Sequence, residues 1–148
     1  MRLVRILLCA AFLASACGGS DDDETWTREA NRLCTALERD LVAVDPPREI
    51  EEPDELAGFV AGTAERVAAW IERMRALEPP EGAAAEAVRM LDLYGRAVTT
   101  TERAAEVLAA GDEGRYQELL READRLSARG DDLARELGVE RCAFPLSG

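Results

Sequence analysis

The helical pattern that decides the fold is most complete in residues 83–110, which read AAAEAVRMLDLYGRAVTTTERAAEVLAA. Apolar side chains recur there at intervals of three and four residues, which places them on one face of an α-helix. Gly111 follows and predicts a left-handed C-terminal cap, whereas Gly95 and the threonines at 99–101 predict a local bend. The residues predicted to face inward are Ala84, Ala87, Val88, Leu91, Tyr94, Val98, Ala105 and Leu108.

Three further stretches show the same spacing. The first is predicted over 25–44 and stops at Asp45-Pro46-Pro47, because proline cannot continue a helix. The second starts near Pro53 and ends before the connector at 78–82, and the fourth covers 113–137. Gly138 is predicted to cap the fourth helix, with Val139 making the hydrophobic contact that accompanies such a cap.

The inward positions of these three stretches include both tryptophans and the second tyrosine, which we interpret as core residues rather than a ligand cage. They are Trp26, Ala30, Leu33, Cys34, Leu37, Leu41 and Val44; then Leu56, Phe59, Val60, Val67, Trp70, Ile71, Met74 and Leu77; then Tyr116, Leu119, Leu120, Ala123, Leu126, Leu133 and Leu137. No stretch alternates with the period of a β-strand. Four helices with short connectors predict an all-α, antiparallel, up-down-up-down four-helix bundle over residues 25–142, followed by a tail at 143–148.

The first sixteen residues form a predicted export signal. Arg2 and Arg5 precede an apolar stretch at 6–13, which is far shorter than the roughly 20 residues of a spanning helix. The small residues at 14–16 end this stretch, as in a signal peptide cleaved after Ala16. The mature chain would then have 132 residues, enough for one domain with a hydrophobic core.

Cys17 follows the small residues and precedes Gly18-Gly19-Ser20 and an acidic run. This arrangement resembles the lipobox of bacterial lipoproteins, although that family prefers Leu where this chain has Ala14. The resemblance implies a lipid on Cys17, with residues 17–24 as lipidated cysteine and flexible tether. Two acyl chains anchor a protein stably where one does not. Ordinary signal-peptidase cleavage, which gives a freely secreted protein, is the alternative.

The cysteine count favours lipidation. Cys9 leaves with the leader, so three cysteines stay in an exported body, and lipidation of Cys17 leaves an even pair. In the predicted topology, Cys34 and Cys142 meet if the tail doubles back along the first helix. We therefore predict a structural disulfide between them; a redox pair would need reactive-thiol surroundings, which the sequence does not supply.

Composition excludes several chemistries. The chain has no His and no Lys, since all 18 basic residues are Arg. This removes His-dependent dyads and zinc sites, the Glu-x-x-His motif of di-iron bundles, Walker-A loops and Schiff bases. Loss of the leader, with its two arginines and no carboxylate, takes the formal net charge from −12 to about −14, which disfavours nucleic acid as a partner.

Carboxylates are the remaining candidates for a site. Glu102 and Glu106 share a helical face, but exposed like charges are the commoner explanation. The acidic run 21–24 lacks the ligand spacing of a calcium loop and is predicted to be tether. The pairs Asp92–Arg96 and Asp131–Arg135 are predicted to lie on solvated faces. We therefore predict no catalytic residue, no cofactor and no metal site.

Three motifs together resemble a broad class of small actinobacterial lipoproteins of uncharacterised function. They are Trp26 with Ala30-Asn31-Arg32-Leu33-Cys34, the connector Leu77-Glu78-Pro79-Pro80, and the ending Leu137-Gly138-Val139-Glu140-Arg141-Cys142. The resemblance implies the anchor, the bundle and the disulfide, but no activity.

Our hypothesis for the function is a non-enzymatic interaction module, anchored outside the cytoplasm through Cys17, with a protein partner at the cell envelope. The alternatives are a carrier or sensor of a small apolar ligand in the bundle core and, lowest, a carboxylate-based hydrolase. An exposed apolar patch would favour the first, a large closed cavity the second, and two inward carboxylates beside a cleft the third.

Overall fold

The computed structural model describes residues 21–44 and 53–143. The predicted all-α four-helix bundle is confirmed, and these residues form no β-strand. The helices are α1 (Asp21–Val42), α2 (Pro53–Arg75), α3 (Ala84–Ala109) and α4 (Glu113–Glu136). Two short 3-10 helices occur as well, Glu81–Ala83 before α3 and Glu140–Cys142 after α4.

Consecutive helices pack in antiparallel order. At one end of the bundle, Ala57 near the start of α2 shares a buried cluster with Leu108 near the end of α3 and Tyr116 near the start of α4. Toward the other end, the rings of Trp70 in α2 and Tyr94 in α3 meet edge to face, with their centroids 5.5 Å apart. Helix starts therefore meet helix ends, as an up-down-up-down connection requires.

The turn between α3 and α4 confirms the predicted glycine cap. Gly111 has a φ of 82°, and the amides of Gly111 and Asp112 donate to the carbonyls of Leu108 and Val107, both at 2.9 Å. These two bonds form a Schellman motif, which satisfies carbonyls that the helix leaves free. Asp112 then caps α4, because its side chain accepts a hydrogen bond from the amide of Arg115 at 3.0 Å.

Gly138 ends α4 in the same way. Its φ is 72°, and the amides of Gly138 and Val139 donate to the carbonyls of Arg135 and Ala134 at 3.1 and 2.9 Å. Val139 is completely buried, which confirms the hydrophobic contact predicted for this cap.

The start of α1 differs from the prediction. The helix begins at Asp21 rather than Thr25, so the acidic run 21–24 is helical and not part of a tether. Carboxylates in the first turn interact favourably with the positive end of the helix dipole, which explains why this run continues the helix. The leader 1–16, Cys17 with residues 18–20, and most of the tail 143–148 lie outside the described residues.

The core contains the aromatic side chains that the sequence placed there. Trp26, Trp70, Tyr94 and Tyr116 are all buried, and Trp70 is completely inaccessible to solvent. The prediction for Val88 was wrong, because this side chain is 57% exposed. Val88 lies at the edge of the apolar stripe of α3, where the helix borders an open cleft.

The backbones of the first and last helices stay apart, although their buried side chains belong to one core cluster. Within the described ranges, no Cα atom of α1 lies within 8 Å of a Cα atom of α4. The 3-10 helix Glu140–Cys142 packs against both helices instead. We call residues 138–143 the C-terminal segment, and its position between α1 and α4 is what completes the core.

Candidate functional site

The C-terminal segment is bonded to α1 at several points. The sulfur atoms of Cys34 and Cys142 lie at disulfide distance, with their Cα atoms 5.0 Å apart, and both residues are completely buried. The predicted pairing and the predicted return of the tail along the first helix are therefore confirmed. A bond this deeply buried, with no accessible thiolate, is typical of a structural disulfide.

Asn31 and Arg141 hold the same segment, a role that the sequence did not predict for either residue. The Asn31 amide donates through Nδ2 to the Gly138 carbonyl at 3.3 Å and accepts through Oδ1 from the Arg141 amide at 2.9 Å. The Arg141 guanidinium lies 3.4 Å from Thr35 Oγ1 and 3.5 Å from the Glu38 carboxylate. The side chain of Asn31 thus supplies hydrogen-bond partners for the Gly138 carbonyl and the Arg141 amide.

A buried polar group joins α3, α4 and the C-terminal segment. The Tyr94 hydroxyl lies 2.7 Å from Asp131 Oδ1 and 2.9 Å from the carbonyl oxygen of Cys142, and it can donate to either. Burial, together with this contact to Asp131, raises the pKa of the Tyr94 hydroxyl well above its ordinary value. The hydroxyl therefore stays protonated and acts as a structural donor.

The position of Asp131 corrects the sequence prediction. It was assigned to a solvated face with Arg135, but its side chain is only 7% exposed, and Arg135 instead pairs with Asp132 at 2.8 Å. The preceding residue, Gly130, is the sequence signal that could have predicted the burial of Asp131. A Cβ atom at position 130 would lie 2.8 Å from the Tyr94 ring, so only glycine lets the ring approach α4 here.

An apolar cleft opens where α1 begins, α2 ends and α3 begins. We call it the Trp26 cleft, and its volume is ≈ 180 Å³. Its lining is mostly apolar, with one arginine and one aspartate at its edge. The lining residues are Trp26, Met74, Arg75, Leu77, Pro79, Ala87, Val88, Leu91 and Asp92. Such a cleft can accept an apolar group from outside the molecule.

A second, shallower groove crosses the outer face of α3. It contains Arg75, Arg96 and Arg103 but also Asp92 and Glu122, so its charges largely compensate one another. Arg75 is already engaged, since its guanidinium lies 2.8 Å from Glu72 and 3.6 Å from Asp92. Asp92, which was predicted to pair with Arg96, thus lies beside Arg75 of α2.

The remaining carboxylate candidates do not converge. Glu102 and Glu106 are both exposed on α3. Over residues 21–44 and 53–143, no group of three or more Cys, Asp or Glu side chains is placed so that it could hold a metal ion. Within the same part of the chain, no helix combines the length and apolar character that a membrane crossing requires.

No protein-family model, curated protein or solved structure matches this chain.

Proposed function

We propose that this protein is a lipoprotein anchored to the outer face of the cell membrane through Cys17, where its helical bundle works as a non-enzymatic binding module. The leader and the lipobox-like residues around Cys17 support the anchor. The pairing of Cys34 with Cys142 also supports the anchor. It leaves Cys17 as the one unpaired cysteine of the proposed exported chain, and lipidation would consume that thiol. The resemblance to small actinobacterial lipoproteins belongs to the same proposal.

The observation that carries the binding role is the Trp26 cleft. It is open at the surface, and Val88 at its edge keeps more than half of its side chain in contact with solvent. A partner that inserts an apolar group here removes this surface from water. The short span between Cys17 and α1 would hold the bundle close to the membrane surface and present this end to other envelope proteins.

A carrier of a small apolar ligand is the second candidate, and it has weaker support. Pockets that enclose a small molecule have volumes of about 300–1,000 Å³. The Trp26 cleft has ≈ 180 Å³. The positions where a core ligand would lie are filled by completely buried side chains, among them Trp70, Met90 and Leu119.

A carboxylate-based hydrolase stays the lowest candidate. Such an enzyme needs two carboxylates beside a cleft, one of them desolvated. Asp131 is the one acidic residue among the buried residues of the described ranges, and it bonds to Tyr94 inside the core. We propose no catalytic residue.

The proposal is tested by chemical crosslinking in cells of the native organism that express the tagged protein. Crosslinked complexes are purified from the membrane fraction and identified by mass spectrometry. The expected result is a reproducible envelope protein, together with the acyl mass on Cys17 and the two-dalton loss of the Cys34–Cys142 bond. A matched Cys17→Ser variant should leave the membrane fraction. If the wild-type protein appears unlipidated in the medium, the anchor is refuted; if only small molecules co-purify, the carrier replaces the binding module.

A further inference from the structure

The Trp26 cleft lies at the end of the bundle from which the chain leads back to Cys17. Trp26 is in the second turn of α1, and only residues 18–20 separate Cys17 from the first residue of that helix. A span of four residues reaches at most about 14 Å. If Cys17 carries the lipid, as the proposed function requires, the mouth of the cleft is close to the membrane surface.

The size of the cleft and the cost of filling it decide between possible occupants. At ≈ 180 Å³ it is smaller than the pockets that enclose whole small molecules. An acyl chain would gain little by entering it, because the bilayer already keeps that chain away from water. A large apolar side chain of another protein gains binding free energy, because it moves from water into the cleft. Single buried side chains of this kind supply much of the affinity at many interfaces.

The charges around the cleft indicate what should flank that side chain. Residues 23–28 and 72–92, which belong to this end of α1, α2 and α3, contain seven carboxylates and four arginines. One of those arginines, Arg75, is held between Glu72 and Asp92. The end of the bundle around the cleft is therefore acidic, and it attracts a basic segment while it repels an acidic one.

We infer that the Trp26 cleft binds one large apolar side chain, such as Phe, Trp or Leu, that is carried on a basic segment of an envelope protein. The apolar contacts with Trp26, Leu77 and Val88 supply affinity. The excess of carboxylates over arginines in this end of the bundle selects the charge of the segment. This inference rests on the proposed binding function and names the partner chemistry for it.

A site-specific photocrosslinking experiment tests the inference in cells. A photoreactive phenylalanine derivative is placed at position 88 in the cleft, at position 42 as control and at position 99 in the groove across α3. Val42 is a matched control because it is also an exposed valine, 81% accessible, at the far end of α1. We expect an ultraviolet-dependent protein adduct at position 88 that is absent at 42 and 99. Mass spectrometry should place the adduct in a segment with several Lys or Arg residues and one large apolar residue.

The outcomes separate this inference from the proposed function. Adducts at position 42 or 99 but not at 88 would overturn the cleft as the docking site and leave the binding module intact. Adducts at 88 to lipid alone, or to an acidic segment, would also overturn it. If none of the three positions yields a protein adduct, both the inference and the proposed function fail.

A second measurement uses a synthetic peptide of the captured segment and the purified Cys17→Ser protein, which cannot be lipidated. Val88→Asp should weaken peptide binding at least tenfold, whereas Val42→Asp should change it less than twofold. The added carboxylate at position 88 attracts a basic peptide, so a loss of affinity there reports the apolar contact and not the charge. Equal effects of the two substitutions, with unchanged circular dichroism, would contradict the inference.

Discussion

Replacing Tyr94 with phenylalanine removes one hydroxyl from the centre of the molecule and tests how the three elements around it are held. The hydroxyl lies 2.7 Å from Asp131 Oδ1 and 2.9 Å from the Cys142 carbonyl oxygen. A hydrogen bond to a charged group contributes about 1.5–3 kcal/mol to stability, and a neutral one about 0.5–1.5 kcal/mol. Because one proton is shared between two acceptors, we expect Tyr94→Phe to lower the free energy of unfolding by about 2–3 kcal/mol.

The aromatic ring should contribute nothing to this loss, since phenylalanine keeps the edge-to-face contact with Trp70. The assay is urea unfolding of the disulfide-intact Cys17→Ser protein, followed by far-UV circular dichroism. Tyr116→Phe is the matched control. Tyr116 is also a buried tyrosine, but in the described ranges its hydroxyl has no protein hydrogen-bond partner, so the change should cost under about 0.5 kcal/mol. Equal losses in the two variants would refute the role assigned to the Tyr94 hydroxyl.

Four further predictions concern the pKa of Tyr94, the disulfide and two helical glycines. Folding raises the pKa of Tyr94 above its unfolded value of about 10, so at high pH the folded state keeps a proton that the unfolded state loses. The contribution of this group to the free energy of unfolding should therefore be constant below about pH 10 and fall as the pH rises further. Unfolding curves at alkaline pH should show a less steep fall for Tyr94→Phe. Replacing both Cys34 and Cys142 with serine reopens a loop with a sequence separation of 108 and should cost about 4–5 kcal/mol relative to the disulfide-bonded wild type, measured by denaturant unfolding. A loss below about 1 kcal/mol would contradict the entropic argument. Gly130→Ala should destabilise the protein by about 1–3 kcal/mol because its methyl group meets the Tyr94 ring. Gly58→Ala, with nothing within 4 Å, should stabilise α2 by about 0.5–1 kcal/mol, and thermal melts compare the two directly.

Local signals in the sequence were sufficient for the bundle itself. The glycines at 111 and 138 identified the ends of α3 and α4 because each adopts a positive φ that other residues rarely adopt. The three-and-four spacing identifies the core aromatics, and the order of the helices predicts the pairing of Cys34 with Cys142. These features depend on neighbours in the sequence or on the order of the helices, both of which can be inferred from the residues alone.

The errors arose where the surroundings come from distant elements. Periodicity assigned Val88 to the core, since it cannot tell that the edge of α3 borders a cleft. The spacing rule for ion pairs assigned Asp131 to solvent, although its partner Tyr94 lies 37 positions away in another helix. The acidic run before Thr25 was predicted as tether from its composition, whereas its place at a helix start favours helix. The cleft itself is formed by three helices, and no single stretch indicates it.

The C-terminal segment makes the first helix dependent on the last part of the fold to be synthesised. Its contacts with α1 join residues more than a hundred positions apart, such as Asn31 with Gly138 and Arg141. If the chain is exported from its N-terminus onward, as the proposed function requires, α1 reaches the far side of the membrane while Cys142, the partner of Cys34, is still in the cytoplasm. Until residue 142 arrives, that thiol and the apolar side of α1 are uncovered and open to wrong pairing. On the proposed export route, a fast passage through the membrane or a chaperone that covers the first helix would limit such wrong pairing.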